Sequence, residues 1–410
     1  MAKCTIMGSA NGIENLGDVL LLHCAMRNIN AAFPDVDEYV IQVDGDVAVA
    51  SKLAHQWEPA EYSSNRKYSF EFAASPLQST CFKSRPRGFG RVPAFIYFPL
   101  CLMVCYPAYL LGLWRDKSWL QDWSRSSLVY FYGGSHFSKG FFWANGFPML
   151  LLSLIARAEG VKLVFGPQQF GPQTRVQVVI TSFILKLIDH RVFFRNRDCA
   201  ALYALPTRLT YDEVFISDLY RSALKGNSEP RMGAINFRGS DFESATKEKK
   251  ELFLQLVSKF HASNCHFWHL FSMSSKKFND DLVLSEYFGV VESQRNGEID
   301  PDLLSNDLSA ASLCLSMSYH GCILAVLQGV ETVPIVSGEY YSWKFSDFDR
   351  YCGHRNRIRW ISNVGWVVGD TDSVNARQRT ALIEIRRRAS ASHISLLRGV
   401  VGPISQPTRA

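Results

Sequence analysis

Apolar residues in this chain come in short unbroken runs separated by longer stretches of mixed polarity. Thr5 to Gly8, Tyr39 to Val43, Leu128 to Tyr132, Lys162 to Phe165 and Val192 to Phe194 read as strands. They lack the polar–apolar alternation of a half-exposed sheet, so both faces must be covered. Between them, Asp18–Met26, Met149–Ala158 and Val176–Leu187 carry apolar residues at helical spacing. A second series begins near residue 231, with strands Met232–Phe237, His266–Phe271, Leu313–Ser316 and Val333–Val336. Helices Glu248–Phe260, Asp302–Ala311 and Gly321–Gln328 fit among them. The alternation predicts an α/β chain of two Rossmann-like doubly wound parallel-sheet domains facing a cleft. Their bounds read as 1–205, with an apolar insertion near 92–114, and 206–372. Residues 373–410 follow as an amphipathic helix and tail, with Leu382, Ile385, Ala389 and Leu396 on one side.

With 410 residues, 47% of them hydrophobic, the chain is too apolar for disorder and large enough for two cores. A formal net charge of +6 does not suggest a nucleic-acid partner, but the charge is unevenly spread. From Arg350 onward eleven Arg and no Lys face three acids, a net +8, which leaves −2 on residues 1–349. Such an end suits an anionic surface or substrate, or simply a solvated helix face. The ten cysteines form no CxxC pair, and several, such as Cys314 and Cys322, lie in apolar runs. That pattern predicts buried reduced thiols and a cytoplasmic protein. The opening strand is too short for the apolar core of a signal peptide.

Val92 to Trp114 contains no charge and is flanked by Lys83, Arg85, Arg87 and Arg91 before it and by Arg115 and Lys117 after it. Three readings stand, in descending order: a buried helix pair, an interfacial hairpin, and a membrane span of about 20 residues. Pro93, Pro99 and Pro107 oppose a regular helix. Together with the basic end, the segment predicts peripheral contact with an anionic membrane at the inner cytoplasmic face.

Five strand ends carry candidate chemistry. Gly8 to Asp18 is a glycine turn before a helix, where Asn15 could orient a hydroxyl and Asp18 accept a proton or merely cap the helix. Tyr132-Gly133-Gly134-Ser135-His136 is a ligand loop or a tight turn. Gly166-Pro167-Gln168-Gln169-Phe170-Gly171-Pro172 would fix two amides between rigid corners, or serve as a structural loop. Arg238, after Ala234 to Phe237, is placed to hold a carboxylate or phosphate, or to pair with Asp241 or Glu243. His266 and His269 fall on opposite faces of one strand, so no metal site is expected there. In Ser316-Met317-Ser318-Tyr319-His320, a strand end meets a helix start, and His320 is able to exchange protons near neutral pH or to act as a cap.

In their order along residues 5–345, these motifs resemble the polysaccharide pyruvyl transferase family. Asn15, Gly17 and Asp18 match its first turn, Gly133 and Gly134 its central loop, and Gly166 to Pro172 its next strand end. Phe193-Phe194-Arg195 matches an Arg after a short apolar strand. Ser316, His320, Gly329, Val333, Pro334, Tyr340 and Lys344 follow the pattern of its last motif and the aromatic–acidic loop beyond. One position departs: Ser318 stands where the family usually has Arg.

The resemblance implies a GT-B-like fold, a phosphoenolpyruvate donor, and a sugar or lipid-linked oligosaccharide acceptor that receives a pyruvate ketal. It implies no metal or organic cofactor. His320 would be the acid, Asp18 the base, and Arg238 and Lys344 the cationic cradle. Asn15, Gly17, Gly133, Gly134, Ser135, Gln168, Gln169, Ser318 and Tyr319 would line the donor site. A nucleotide-sugar glycosyltransferase of the same architecture and a catalytically silent assembly scaffold remain as alternatives. Whether the chain forms a homo-oligomer stays open.

Overall fold

The computed structural model describes residues 2–8, 16–43, 46–56, 69–74, 123–189, 191–216, 232–236, 255, 267–270, 304, 308–328, 330–348, 359–362, 365–366 and 390–402. Two six-stranded sheets organise them. The first contains β1 (Ala2–Met7), β2 (Val36–Val43), β3 (Ser69–Ala74), β4 (Leu128–Phe131), β5 (Leu163–Gln168) and β6 (Val192–Phe194). Its order is β3-β2-β1-β4-β5-β6, with every neighbouring pair parallel. The second contains β7 (Met232–Asn236), β8 (Phe267–Leu270), β9 (Leu313–Ser316), β10 (Glu331–Ser337), β11 (Arg359–Ser362) and β12 (Gly365–Trp366). Its order is β12-β11-β10-β9-β7-β8, and only the β11–β12 pair is antiparallel. The α/β class with two Rossmann-like parallel sheets is therefore what the chain adopts.

Helices cover the sheets as the uninterrupted apolar strands require. After β1, α1 (Leu16–Ala32) is buried nearly all round, from Val19 to Ile29. It shares one core with β2, Val214 and the helix that follows β9. On the other face of the first sheet, α3 (Phe147–Ala158) and α4 (Arg175–Leu187) pack over Phe131, Phe165 and Phe194. The shorter α2 (Val47–Gln56) precedes β3, and α5 (Arg197–Leu202) follows β6. In the second half, α6 (Tyr319–Leu327) follows β9 and α7 (Gly338–Phe345) follows β10. The segment expected to be an aromatic–acidic loop is thus a helix.

The third glycine-rich motif also differs from expectation. Gly166, Pro167 and Gln168 belong to β5, which continues past Phe165. A register shift between Phe165 and Pro167 absorbs the proline, which has no N–H to give a neighbouring strand.

The final helix, α8 (residues 390–401), returns to the first half of the chain. Arg398 donates from Nε to the Ala32 carbonyl at 2.8 Å and from Nη2 to that of Ala31 at 3.0 Å. It thereby supplies the cation that the last turn of α1 lacks in its own sequence. Its buried residues are His393, Leu397 and Val401, with Leu396 partly buried against the same core, and most of the expected helix, Ser373–Ala389, lies outside the described residues. Val92–Trp114 lies outside them as well. Among the described residues, no helix is long and apolar enough to cross a membrane. Cys4, Cys24, Cys199, Cys314 and Cys322 are buried as thiols, not disulfides.

Candidate active site

Each sheet reverses its strand order at one point, between β1 and β4 in the first and between β7 and β9 in the second. Crevices at such switch points, beyond the carboxyl ends of the strands, are where open α/β sheets bind ligands. The loop after β4 carries Gly133 to His136, and β9 leads into Ser318 and His320. Side-chain contacts bring these two edges together.

At the centre is Arg195, immediately after β6 and only 1% exposed. Its Nη1 donates to Asp212 Oδ2 at 3.0 Å, and its Nη2 to Ser135 Oγ at 3.1 Å and Gln169 Oε1 at 2.5 Å. The guanidinium carbon lies 4.8 Å from the centroid of the Tyr319 ring. Lys344 Nζ approaches the same ring and that of Tyr340, 5.6 Å from each centroid. Two cations from opposite halves of the chain therefore approach one aromatic ring.

Asp212 is fully buried. Burial would raise its pKa, but His320, Arg195 and the Val214 N–H outweigh that and draw the carboxyl down to about 2. His320 Nε2 lies 3.8 Å from Asp212 Oδ2, an ion-pair distance beyond hydrogen-bond reach. That nitrogen is buried without a hydrogen-bond partner. Burial lowers the His320 pKa; Asp212 opposes this, whereas Lys344 and Arg195 add to it. Burial thus biases His320 toward the neutral imidazole, while its neighbours hold Asp212 toward the carboxylate.

Glu213 behaves in the opposite way to its neighbour. Tyr130 Oη donates to its Oε1 at 2.5 Å and the Gly133 N–H to its Oε2 at 3.1 Å. Burial nevertheless pushes its carboxyl up to about 8, and the Asp212 charge adds to the rise. Gly133 tolerates no side chain, since a Cβ would stand 2.7 Å from the Pro167 carbonyl oxygen and 3.4 Å from Glu213. His136, on the same loop, is held down to about 4 by burial and by Arg195. Asn196 Nδ2 donates to the Trp343 carbonyl at 2.9 Å and the Arg197 N–H to Asp347 at 2.5 Å, which ties α7 to the end of β6. A Cβ on Gly171 would collide with the Trp343 ring, so the glycine permits this close approach.

Several expected donor ligands are committed inside the fold. Gln168 is wholly buried and donates to the carbonyls of Phe131 and Tyr132, holding β4 to β5. Gln169 is equally buried, donating its amide N–H to the Gly171 carbonyl while its oxygen accepts from Arg195 and Ser135. Ser318 caps α6, accepting from the Gly321 N–H at 3.2 Å, so the departure from the family residue serves a helix end. The Gly133 N–H is spent on Glu213, and Gly134 bridges to Gln168 in the sheet. Gly17 and Asp18 lie in the first turn of α1. Asn15 and Arg238 lie outside the described residues. Ser135, Tyr319, His320 and Lys344 do converge.

Sequence reasoning gave no site role to Arg195, Asp212, Glu213 or His136. Arg195 follows a short apolar strand, the sequence feature that singled out Arg238, so the same rule could have selected it. Asp212 carries no local signal, because its partner is 17 residues away in the chain. Among the described residues, no group of three or more His, Cys, Asp or Glu side chains is placed to hold a metal ion.

Residues 15–339 match the polysaccharide pyruvyl transferase family, and the chain belongs to it. It is accordingly a transferase, of a class that acts on polysaccharide sugars. No curated protein matches the sequence. Among solved structures, it is similar to a putative UDP-N-acetylglucosamine 2-epimerase from Listeria monocytogenes, at 8% identity and a TM-score of 0.48, covering 99% of this chain and 93% of that one. The glycosyltransferase SnogD from Streptomyces nogalater aligns at 13% identity and a TM-score of 0.45, covering 98% and 100%. At such identities and scores, neither likeness bears on donor or acceptor.

Proposed function

We propose that the chain transfers the enolpyruvyl group of phosphoenolpyruvate to a polysaccharide sugar and closes it into a pyruvate ketal. The observation that carries this reading is His320, a buried imidazole with an unpartnered Nε2 beside the Asp212 carboxylate and two cations. Phosphoenolpyruvate brings a phosphate and a carboxylate, and Lys344 and Arg195 supply the matching field. The bound anion counteracts the burial that keeps His320 neutral, so the imidazole takes up a proton, and Asp212 stabilises the resulting imidazolium. His320 then delivers that proton to the methylene carbon. A sugar hydroxyl adds to the adjacent carbon and gives its own proton to a base, for which we propose Asp18. A second hydroxyl attacks the same carbon, the bond to the phosphate oxygen breaks, and phosphate leaves with the electron pair and the last proton. The reaction so written calls for no metal or organic cofactor.

Phosphate release from phosphoenolpyruvate, in the presence of a glycan whose hydroxyl pair can close a five- or six-membered ring, tests the reading. A pyruvyl mass gain on the glycan should accompany it. His320→Ala should lose about 10²–10⁴-fold in turnover while melting normally. Asp212→Asn should move the alkaline limb of activity to lower pH, since the imidazolium loses its counter-charge. Stabilisation by nucleotide sugars but not by phosphoenolpyruvate would reject the donor.

A further inference from the structure

Helix α4 is apolar on its outward face as well as on the face packed against the core. The residues it turns inward include Gln177 and Thr181, together with Ile184 and Leu185. Gln177 is used there in a capping box with Thr174 and donates to the Lys139 carbonyl at 3.4 Å. Facing outward are Val176, Val179, Phe183 and Leu187, exposed by 61%, 68%, 62% and 48%. Their spacing of three, four and four residues sets them in one stripe along the whole helix, about 20 Å long. A solvated helix face normally carries charge, so this stripe needs a partner.

The charges identify which one. The only ionisable residues of α4 are Arg175 and Lys186, both exposed, one at each end of the stripe. Two copies of the chain meeting through this helix would set cation against cation in either orientation, because both ends are basic. An anionic sheet of headgroups with hydrocarbon beneath it satisfies the ends and the stripe together. We infer that α4 is the face by which this protein lies on an anionic lipid bilayer, its apolar stripe sunk to the level of the headgroup–acyl boundary. The helix is capped by Thr174, five residues after the Arg195 partner Gln169, so docking would hold the site's rim near the membrane plane. The inference does not depend on the identity of the donor.

Flotation of the full chain with vesicles decides it. Vesicles rich in phosphatidylglycerol should capture the protein and pure phosphatidylcholine vesicles should not, with capture falling as salt rises from low to about half molar. The Val179→Asp/Phe183→Asp variant should bind anionic vesicles at least about tenfold more weakly with unchanged melting. Arg175→Glu/Lys186→Glu leaves the apolar stripe intact. It should weaken binding roughly fivefold or more per site, through loss of attraction to the surface. Equal capture of wild type and both variants would assign docking to another segment and overturn the inference. So would a failure of the wild type to float, or a concentration-dependent dimer that the aspartates dissolve.

Discussion

Glu213→Gln is expected to stabilise the protein, increasingly so as pH rises. Glu213 is buried with a folded-state pKa near 8 against an ordinary value of 4.5. Between those values the unfolded chain loses a proton that the folded chain keeps, so wild-type stability falls as pH rises through that window. The slope is about 1.4 kcal/mol per pH unit, which makes the penalty about 3 kcal/mol at pH 7 and below about 1 kcal/mol at pH 5. Glutamine reproduces the protonated acid: its oxygen accepts from the Gly133 N–H while its amide faces Tyr130 Oη, now as a donor. The variant should therefore match wild type below about pH 5 and exceed it progressively to about pH 8. Urea denaturation followed by tryptophan fluorescence at half-unit steps provides the assay. Buried His136 and His393, both held near 4, impose the opposite slope below their unfolded value of 6.5, but they cancel in the difference between the two proteins. A difference curve flat with pH, or one showing the variant less stable throughout, would refute the assignment of a protonated Glu213.

Further tests address the remaining parts of the site and fold. Arg195→Met should cost about 3–5 kcal/mol, because it strands the Asp212 carboxylate inside the core, and thermal melting would read this directly. Ser318→Arg, which restores the usual family residue, should lower stability by about 1 kcal/mol or more through loss of the α6 cap. Tighter phosphoenolpyruvate binding in that variant would show that the cation helps all the same. Arg398→Ala should cost about 1 kcal/mol and speed hydrogen exchange at the end of α1; unchanged exchange there would count against the cap.

Much of the architecture was legible in the linear pattern. Strands covered on both faces must be continuously apolar, so β1, β4, β9 and the helices between them announce themselves, and a parallel sheet follows. His320 was legible for a similar local reason: a strand end, a capping Ser318 and a helix start are consecutive in the chain. Long-range pairing was not. Arg195 and Asp212 acquire their meaning only when the chain after β6 folds back between α1 and α6, and no spacing rule encodes that return. The same holds for Gln168 and Gln169, whose residue type suggested ligand binding until burial showed both amides engaged by backbone and by Arg195. Titration divides likewise: Asp212 and Glu213 are adjacent acids, yet His320 and Arg195 lower one while burial and the Asp212 charge raise the other. Sequence determines the elements because helix and strand formation depends on neighbours a few residues apart. The tertiary structure alone decides charge, protonation and contact, because those depend on whatever the fold places within a few ångströms.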